Sequence, residues 1–348
     1  MQSADLDAYY MQRALDLAAT GRGHVEPNPL VGCVIANGSE TVGEGYHRRF
    51  GGPHAEIEAL EDAGSRARGA TLYVTLEPCC HSGKTPPCAP AVVSAGIARV
   101  VIADRDPFPK VAGGGIAQLR AAGIEVEVGA LRDDARRLNA PYLKRLATGL
   151  PWVIAKWAMT LDGHTAAHTG DSRWISSPES RAAAHGIRGR VDAIIVGRRT
   201  AELDDPLLTA RPPGPRIATR IVLDSKAQLS AESQLVRTLD QAPVLVVTGP
   251  DAPEPSVSAL TAAGCEVLVT PETDHSARLR WLLAELGRRQ MTNVMVEGGA
   301  TLLGALFDAD LVDEVHAFIA PKIIGGATAA TAVAGHGLAE VARALVLD

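Results

Sequence analysis

The sequence predicts an α/β protein of two domains, each a sheet covered by helices on both faces, and three observations carry that prediction. The chain has 348 residues, more than one ordinary hydrophobic core accommodates. Apolar runs of strand length alternate with helix-period segments through both halves, the pattern of α/β units with parallel strands. Gly149-Leu150-Pro151 interrupts the alternation, and a new strand pattern follows it, so the domains are set at 1–148 and 151–348.

In the first half a helix over 6–20 stops at Gly21. Apolar runs over 31–36 and 41–46 read as strands joined by an Asn37-Gly38 turn. Pro53 opens a helix over 54–63. A strand over 71–76 delivers Glu77-Pro78-Cys79 at its carboxyl end, where open α/β sheets place their sites. Cys88 opens the next helix. Strands over 100–103 and 124–128 flank a helix near 116–121, and a helix over 131–146 closes an α/β/α sandwich.

In the second half strands fall over 152–157, 193–196, 217–223, 244–247, 266–269 and 293–296, with helices over 178–188 and 276–288. These predict a mostly parallel, doubly wound sheet. No G-x-G-x-x-G follows its first strand, so an ordinary Rossmann dinucleotide site is not indicated. Glu297-Gly298-Gly299-Ala300-Thr301 does join a strand to a helix, either to receive a phosphate on backbone N–H groups or simply to turn tightly.

Composition excludes several classes of function. Lys and Arg total 34 against 40 Asp and Glu, a formal charge of −6 without a long basic run, which disfavours a nucleic-acid groove. No stretch approaches the ~18–20 apolar residues of a membrane span, and residues 1–19 carry Asp5, Asp7, Arg13 and Asp16, unlike a signal peptide. A cytoplasmic protein is expected. Five cysteines, three of them clustered, fit metal ligation in a reducing compartment, with Cys33 and Cys265 as small core residues.

The chemistry concentrates in His54-Ala55-Glu56, Pro78-Cys79 and Cys88. One imidazole and two thiolates fill three corners of a tetrahedral Zn²⁺ and leave the fourth for a water, whose pKa the metal lowers to about 7. Glu56, two residues past His54, points into the site as a carrier of protons. This is the H-x-E…P-C signature of nucleobase deaminases, except that eight residues separate Cys79 from Cys88. Cys80 and His81 lie in that detour as rival ligands. A closed structural zinc site is the alternative, but it would need a fourth protein ligand and leaves Glu56 unexplained.

These residues resemble the bifunctional riboflavin-biosynthesis deaminase/reductases of bacteria over nearly the whole chain. In the first domain the resemblance rests on Pro27-Asn28-Pro29-Leu30-Val31-Gly32, Gly43-Glu44-Gly45-Tyr46-His47, His54-Ala55-Glu56 and the whole stretch 75–88 with its long cysteine spacing. In the second it rests on Lys156-Trp157-Ala158-Met159-Thr160-Leu161-Asp162-Gly163, Ser172-Arg173-Trp174-Ile175, 204–211, Val222-Leu223-Asp224-Ser225 and Glu297-Gly298-Gly299.

The resemblance implies a cytidine-deaminase-like sandwich followed by a dihydrofolate-reductase-like domain. It implies zinc-dependent deamination of a diaminopyrimidinone bearing a ribosylamino 5′-phosphate, then NADPH reduction of the ribosyl group to ribityl. Asn28, His47, His81 and Lys84 match substrate-facing positions, although each has an ordinary structural alternative. Ala158, Trp174, Thr200, Asp204, Ser225 and the turn Gly299, Ala300, Thr301, Leu302, Leu303 match NADPH contacts. Ser172, Arg188, Leu208, Arg211 and Glu297 match positions that hold the sugar phosphate, for which the two guanidinium groups are chemically suited. Arg198-Arg199 is a further candidate for the NADPH 2′-phosphate, and Lys156 is either a site residue or an interior lysine that snorkels.

The family also implies a homo-oligomer acting on a small phosphorylated pyrimidine, with neither nucleic acid nor membrane as partner. The chain stops at Leu345-Val346-Leu347-Asp348 in a strand-like run, so a weakened reductase half is one expectation. Two rivals remain: a deaminase acting on flipped nucleic-acid bases, and a sensor with a structural zinc. An aromatic content of only 4% and the acidic balance disfavour the first, and Glu56 disfavours the second.

Overall fold

The computed structural model describes residues 3–81, 83 and 85–347. It divides into two compact units, Met1–Thr148 and Gly149–Asp348.

The first unit opens with α1 (Ser3–Ala19), β1 (Gly32–Asn37), β2 (Glu40–Tyr46) and α2 (Ala55–Ala63). It continues with β3 (Thr71–Leu76), α3 (Cys88–Ser94), β4 (Arg99–Asp104), α4 (Gly114–Ala121), β5 (Glu125–Val128), α5 (Arg132–Leu138) and α6 (Ala140–Thr148). Its sheet runs β2-β1-β3-β4-β5. The β1 strand is antiparallel to both neighbours, and β3, β4 and β5 are parallel. The two-residue period of a strand sorts the core into two layers. Leu72, Val74, Val100 and Ile102 pack with α2, α3 and α4, whereas Tyr73, Val101 and Ala103 pack with α1 and α5.

The helix expected over 131–146 is two helices, broken at Asn139. Pro141 has no N–H to continue the ladder. Asn139 turns its buried amide on Leu30 instead, accepting from the backbone N–H at 2.8 Å and donating to the carbonyl at 2.9 Å.

The second unit begins with β6 (Trp152–Thr160), β7 (His164–Ala166), α7 (Pro178–Arg188), β8 (Ala193–Gly197), α8 (Arg198–Asp204) and β9 (Thr219–Leu223). It continues through α9 (Gln234–Arg237), β10 (Val244–Thr248), α10 (Glu254–Ala262), β11 (Glu266–Val269), α11 (His275–Arg288) and β12 (Asn293–Glu297). It ends with α12 (Ala300–Asp308), β13 (Glu314–Ala320) and β14 (Ala330–Thr331), which pairs with β7. The sheet order is β11-β10-β9-β8-β12-β6-β13, and every neighbouring pair is parallel. Its inner strands β10, β9, β8, β12 and β6 supply side chains to the cores on both faces, which explains their near-continuous apolar runs.

The strand expected from 217 starts at Thr219, and Ile217 stands 72% exposed outside it. Residues 345–347 form no strand and are exposed. Cys33 and Cys265 are core residues, as expected. No described helix is long and apolar enough to cross a membrane.

Candidate active sites

In the first unit the site assembles where β3 ends and α2 begins. His54 lies not within the helix, as the sequence predicts, but is the extended residue before it (φ −80°, ψ 161°). Glycines on β2 let this helix lie against the sheet. A Cβ on Gly45 would stand 2.5 Å from the Ala55 carbonyl oxygen, and one on Gly43 would stand 2.4 Å from that of Ala59. Close packing of the first helical turns therefore fixes where His54 and Glu56 point.

One ligand atom each from His54, Cys79 and Cys88 lies within 4.8 Å of the others, a geometry that can hold a metal ion. His54 Nδ1 is 3.4 Å from Cys79 Sγ and 3.2 Å from Cys88 Sγ. Its other nitrogen meets Thr85 Oγ1 at 3.2 Å. A proton on Nε2 donated to Thr85 leaves the Nδ1 lone pair for the metal. The Cys88 N–H donates to Cys79 Sγ at 3.3 Å. Contact with Cys88 and His54 pushes the Cys79 thiol down to about 4, while contact with that thiolate and burial push Cys88 up. Glu56 is 3% exposed, in contact with the Cys88 thiol, and burial pushes its carboxyl up.

In the second unit Glu297, the last residue of β12, pairs in register with Lys156 in the middle of β6. Glu297 is buried and takes both Nε and Nη2 of Arg188, the latter at 2.8 Å, with Lys156 Nζ at 3.5 Å. Burial alone would raise the Glu297 carboxyl, but Arg188 and Lys156 outweigh it and hold it at about 2. Next to Glu297, Gly298 and Gly299 have φ of 83° and 75° and start α12. A Cβ on Gly299 would stand 3.2 Å from Thr200 Oγ1, so the turn is a concavity that only glycine leaves open.

With both sites defined, comparison with known proteins places the chain. Residues 151–346 match the RibD C-terminal domain, and residues 4–104 match the cytidine and deoxycytidylate deaminase zinc-binding region. The riboflavin biosynthesis protein RibD of Escherichia coli K12 is 43% identical over 332 residues, covering 92% of this chain and 89% of its own length. The chain belongs to the RibD family.

RibD of Actinobacillus pleuropneumoniae is 40% identical over 343 residues, 99% of this chain and 90% of its own. Among solved structures, Acinetobacter baumannii RibD superimposes with a TM-score of 0.86 at 37% identity, covering 99% of this chain and 96% of that one. A deaminase/reductase from Thermotoga maritima gives a TM-score of 0.84 at 36% identity, covering 98% and 93%. As a RibD protein, this chain is a bifunctional riboflavin-biosynthesis enzyme with a deaminase domain and a reductase domain. The cytidine-deaminase-like first half expected from sequence is accordingly present.

The remaining expected residues of this RibD chain take varied positions. His47 is 3% exposed; its Nδ1 meets the Pro53 carbonyl at 2.8 Å and its Nε2 meets Asn28 Nδ2 at 3.1 Å. Burial lowers its pKa, so it is a neutral ring tied to Asn28 and standing edge-on to His54, not a solvated loop residue. His81 buries Nδ1 beside Phe108, without a partner for it among the described residues. Lys84 lies outside the described residues. Cys80 Sγ turns to the Lys110 carbonyl at 3.7 Å and does not join the metal set.

In the second half Arg188 and Glu297 are committed to each other, which leaves Arg211 as the freer guanidinium. Its Nη1 donates to Thr209 Oγ1 at 3.0 Å. Leu208, Leu302 and Leu303 bury their side chains in the core, so only their backbones remain for a ligand. Trp174 is 66% exposed with Arg181 stacked 4.6 Å over its ring. Ala158 and Ser172 are half-buried, and Asp204, at the end of α8, is exposed. Arg198 binds Glu202 and stands 3.9 Å from buried Asp224, whereas Arg199 is exposed.

Sequence reasoning passed over Thr85 and Glu77. Glu77 is 4% exposed and accepts from the backbone N–H groups of Gly113 at 3.0 Å, Ile116 at 3.1 Å and Asp106 at 3.4 Å. It thereby anchors the loop before α4 beside Cys79. Glu77→Gln would turn an amide NH₂ toward these donors and leave about one of them unsatisfied, a cost of about 1–3 kcal/mol. All five tyrosines lie in the first unit, so tyrosine absorbance during thermal unfolding should report that unit's transition, lowered in the Glu77→Gln variant.

Proposed function

We propose that the first unit hydrolyses the ring amine from 2,5-diamino-6-(5-phosphoribosylamino)pyrimidin-4-one with zinc. The second unit, in this reading, uses NADPH to reduce the ribosyl group of the resulting aminouracil to ribityl. The carrying observation is the cluster of His54, Cys79 and Cys88 with buried Glu56 against it. Three soft and borderline donors, with no fourth protein ligand among the described residues, fit an open catalytic zinc site. Zinc, when bound, supplies an activated water at neutral pH.

Glu56 is placed to take one proton from the attacking water as the water oxygen bonds to the ring carbon and to pass it to the ring nitrogen; it then carries the second proton, from the added hydroxyl, to the departing amine, so that the carbonyl forms, the carbon–nitrogen bond breaks and ammonia leaves. Thr85 holds the His54 ring, and His47 holds Asn28 toward the substrate. His81 and Lys84 complete the substrate side in this proposal, with Lys84 pairing the phosphate.

In the second unit NADPH supplies a hydride to the first carbon of the opened ribose. The glycine concavity by Thr200 and the backbone of Ala300, Thr301, Leu302 and Leu303 fit the cofactor phosphates. Ala158, Trp174, Asp204 and Ser225 line the rest of its path. Arg211 and Ser172 receive the sugar phosphate beside the backbone of Leu208, while Arg188 and Glu297 fix the polar floor. The active form is proposed to be a homo-oligomer in the cytoplasm.

A zinc-replete preparation should release ammonia from the pyrimidine phosphate and then consume NADPH. Ammonia release without NADPH consumption would leave a deaminase alone, and neither signal would overturn the reading.

A further inference from the structure

The carboxyl edge of β8, β9 and β10 carries a guanidinium that the family resemblance does not mention. Arg278, in the first turns of α11, donates from Nη1 to Ser225 Oγ at 2.7 Å and from Nε to the Glu272 carbonyl at 2.7 Å. Its Nη2 lies over Gly249, where a Cβ would stand 2.9 Å from that nitrogen. Gly249 itself donates its N–H to the Ser225 carbonyl at 3.1 Å. The guanidinium is thus laid flat across the exits of β9 and β10 and held by an oriented hydroxyl. Nearby carboxylates have partners already. Asp224 accepts from the N–H groups of Lys226, Gln228 and Leu229, Asp274 caps α11 through Ala277, and Glu202 binds Arg198.

The position along the sheet edge selects a ligand. Glu297 at the carboxyl end of β12, with Lys156 beside it on β6, marks the reacting end, and the glycine turn after β12 suits a pyrophosphate. An extended dinucleotide crossing from there over β8 brings its adenosine ribose to β9 and β10, where the register pairs Gly197 with Leu223 and Leu223 with Val247.

We propose that Arg278, together with the Ser225 hydroxyl it holds, recognises the 2′-phosphate of NADPH and sets the preference for NADPH over NADH. This rests on the reading that the second unit uses a nicotinamide dinucleotide. A phosphate monoester carries about −1.5 to −2 charge and offers several acceptor oxygens, and a guanidinium fork matches it better than an ammonium does. Of the pair Arg198-Arg199 offered by the sequence, Arg198 is engaged by Glu202 and stands 3.9 Å from Asp224, and Arg199 is exposed.

Calorimetric titration of the full-length protein with 2′,5′-ADP and with 5′-AMP tests this directly, because the two probes differ by the 2′-phosphate. The parent should prefer 2′,5′-ADP. Arg278→Ala should weaken 2′,5′-ADP by about tenfold to a hundredfold and leave 5′-AMP unchanged, as expected for a charged hydrogen bond. Arg278→Lys should recover part of the preference, and Gly249→Ala, which displaces the guanidinium but keeps its charge, should lose part of it. An undiminished preference in Arg278→Ala, or a parent without one, overturns the assignment. So does loss of the preference in Arg198→Ala while Arg278→Ala keeps it. Failure of the reductase reading shows separately, as absence of NADPH oxidation with the aminouracil even though the 2′,5′-ADP preference and its loss in Arg278→Ala both stand.

Discussion

Replacing Glu56 by Gln should lower ammonia release by a factor of about 10²–10⁴, the usual contribution of a positioned general acid–base group. Zinc content should stay at that of the parent. The substitution removes the proton carrier and none of the donors, since His54, Cys79 and Cys88 supply the three ligand atoms. Stability should hold or rise slightly, because burial already disfavours the charged form of Glu56 and an amide of the same shape carries no charge. His54→Ala is the contrasting variant, in which zinc itself is expected to be lost along with turnover. Elemental analysis for zinc beside an ammonia assay separates the two, and a Glu56→Gln variant as active as the parent would remove Glu56 from the chemistry.

The first site was legible because its chemistry sits in short, specific runs. A histidine and a glutamate two residues apart, with two cysteines, permit few other assemblies, and the structure brings them together on one sheet edge. What escaped was support that depends on the fold. Thr85 is an unremarkable loop residue until His54 Nε2 is seen beside it, and Glu77 reads as a strand end until three N–H groups of a distant loop converge on it. In the second half six strands were readable from their apolar runs, but β13 and the short β7 and β14 were not. Glu314 and His316 interrupt the pattern of β13, and that strand lies at the sheet edge. Arg188 and Glu297, separately matched by resemblance to phosphate neighbours, turn out to bind each other across 109 residues of sequence. Spacing along a chain carries no information about such a pair, which exists only once the end of α7 lies within reach of β12.

That pair gives the second large effect. Glu297→Gln should destabilise the second unit by about 3–5 kcal/mol, because Arg188 and Lys156 would remain buried around a neutral amide. All four tryptophans lie in this unit, at positions 152, 157, 174 and 281, so tryptophan fluorescence during urea unfolding follows it selectively. The pH dependence should agree. Since the folded carboxyl is held at about 2, below the ordinary value of 4.5 that stands for the unfolded chain, it contributes stability in full above about pH 4.5. That contribution, of the order of 3 kcal/mol, falls away as the pH drops from there toward 2 and the folded carboxylate takes up its proton. The difference between parent and Glu297→Gln variant should therefore be largest near neutrality and shrink across that window. A difference that stays constant from about pH 7 to about pH 3 would mean that the ion pair does not hold the Glu297 carboxyl down. Deaminase activity should be unaffected in the same samples, because the residues that carry it belong to the other compact unit.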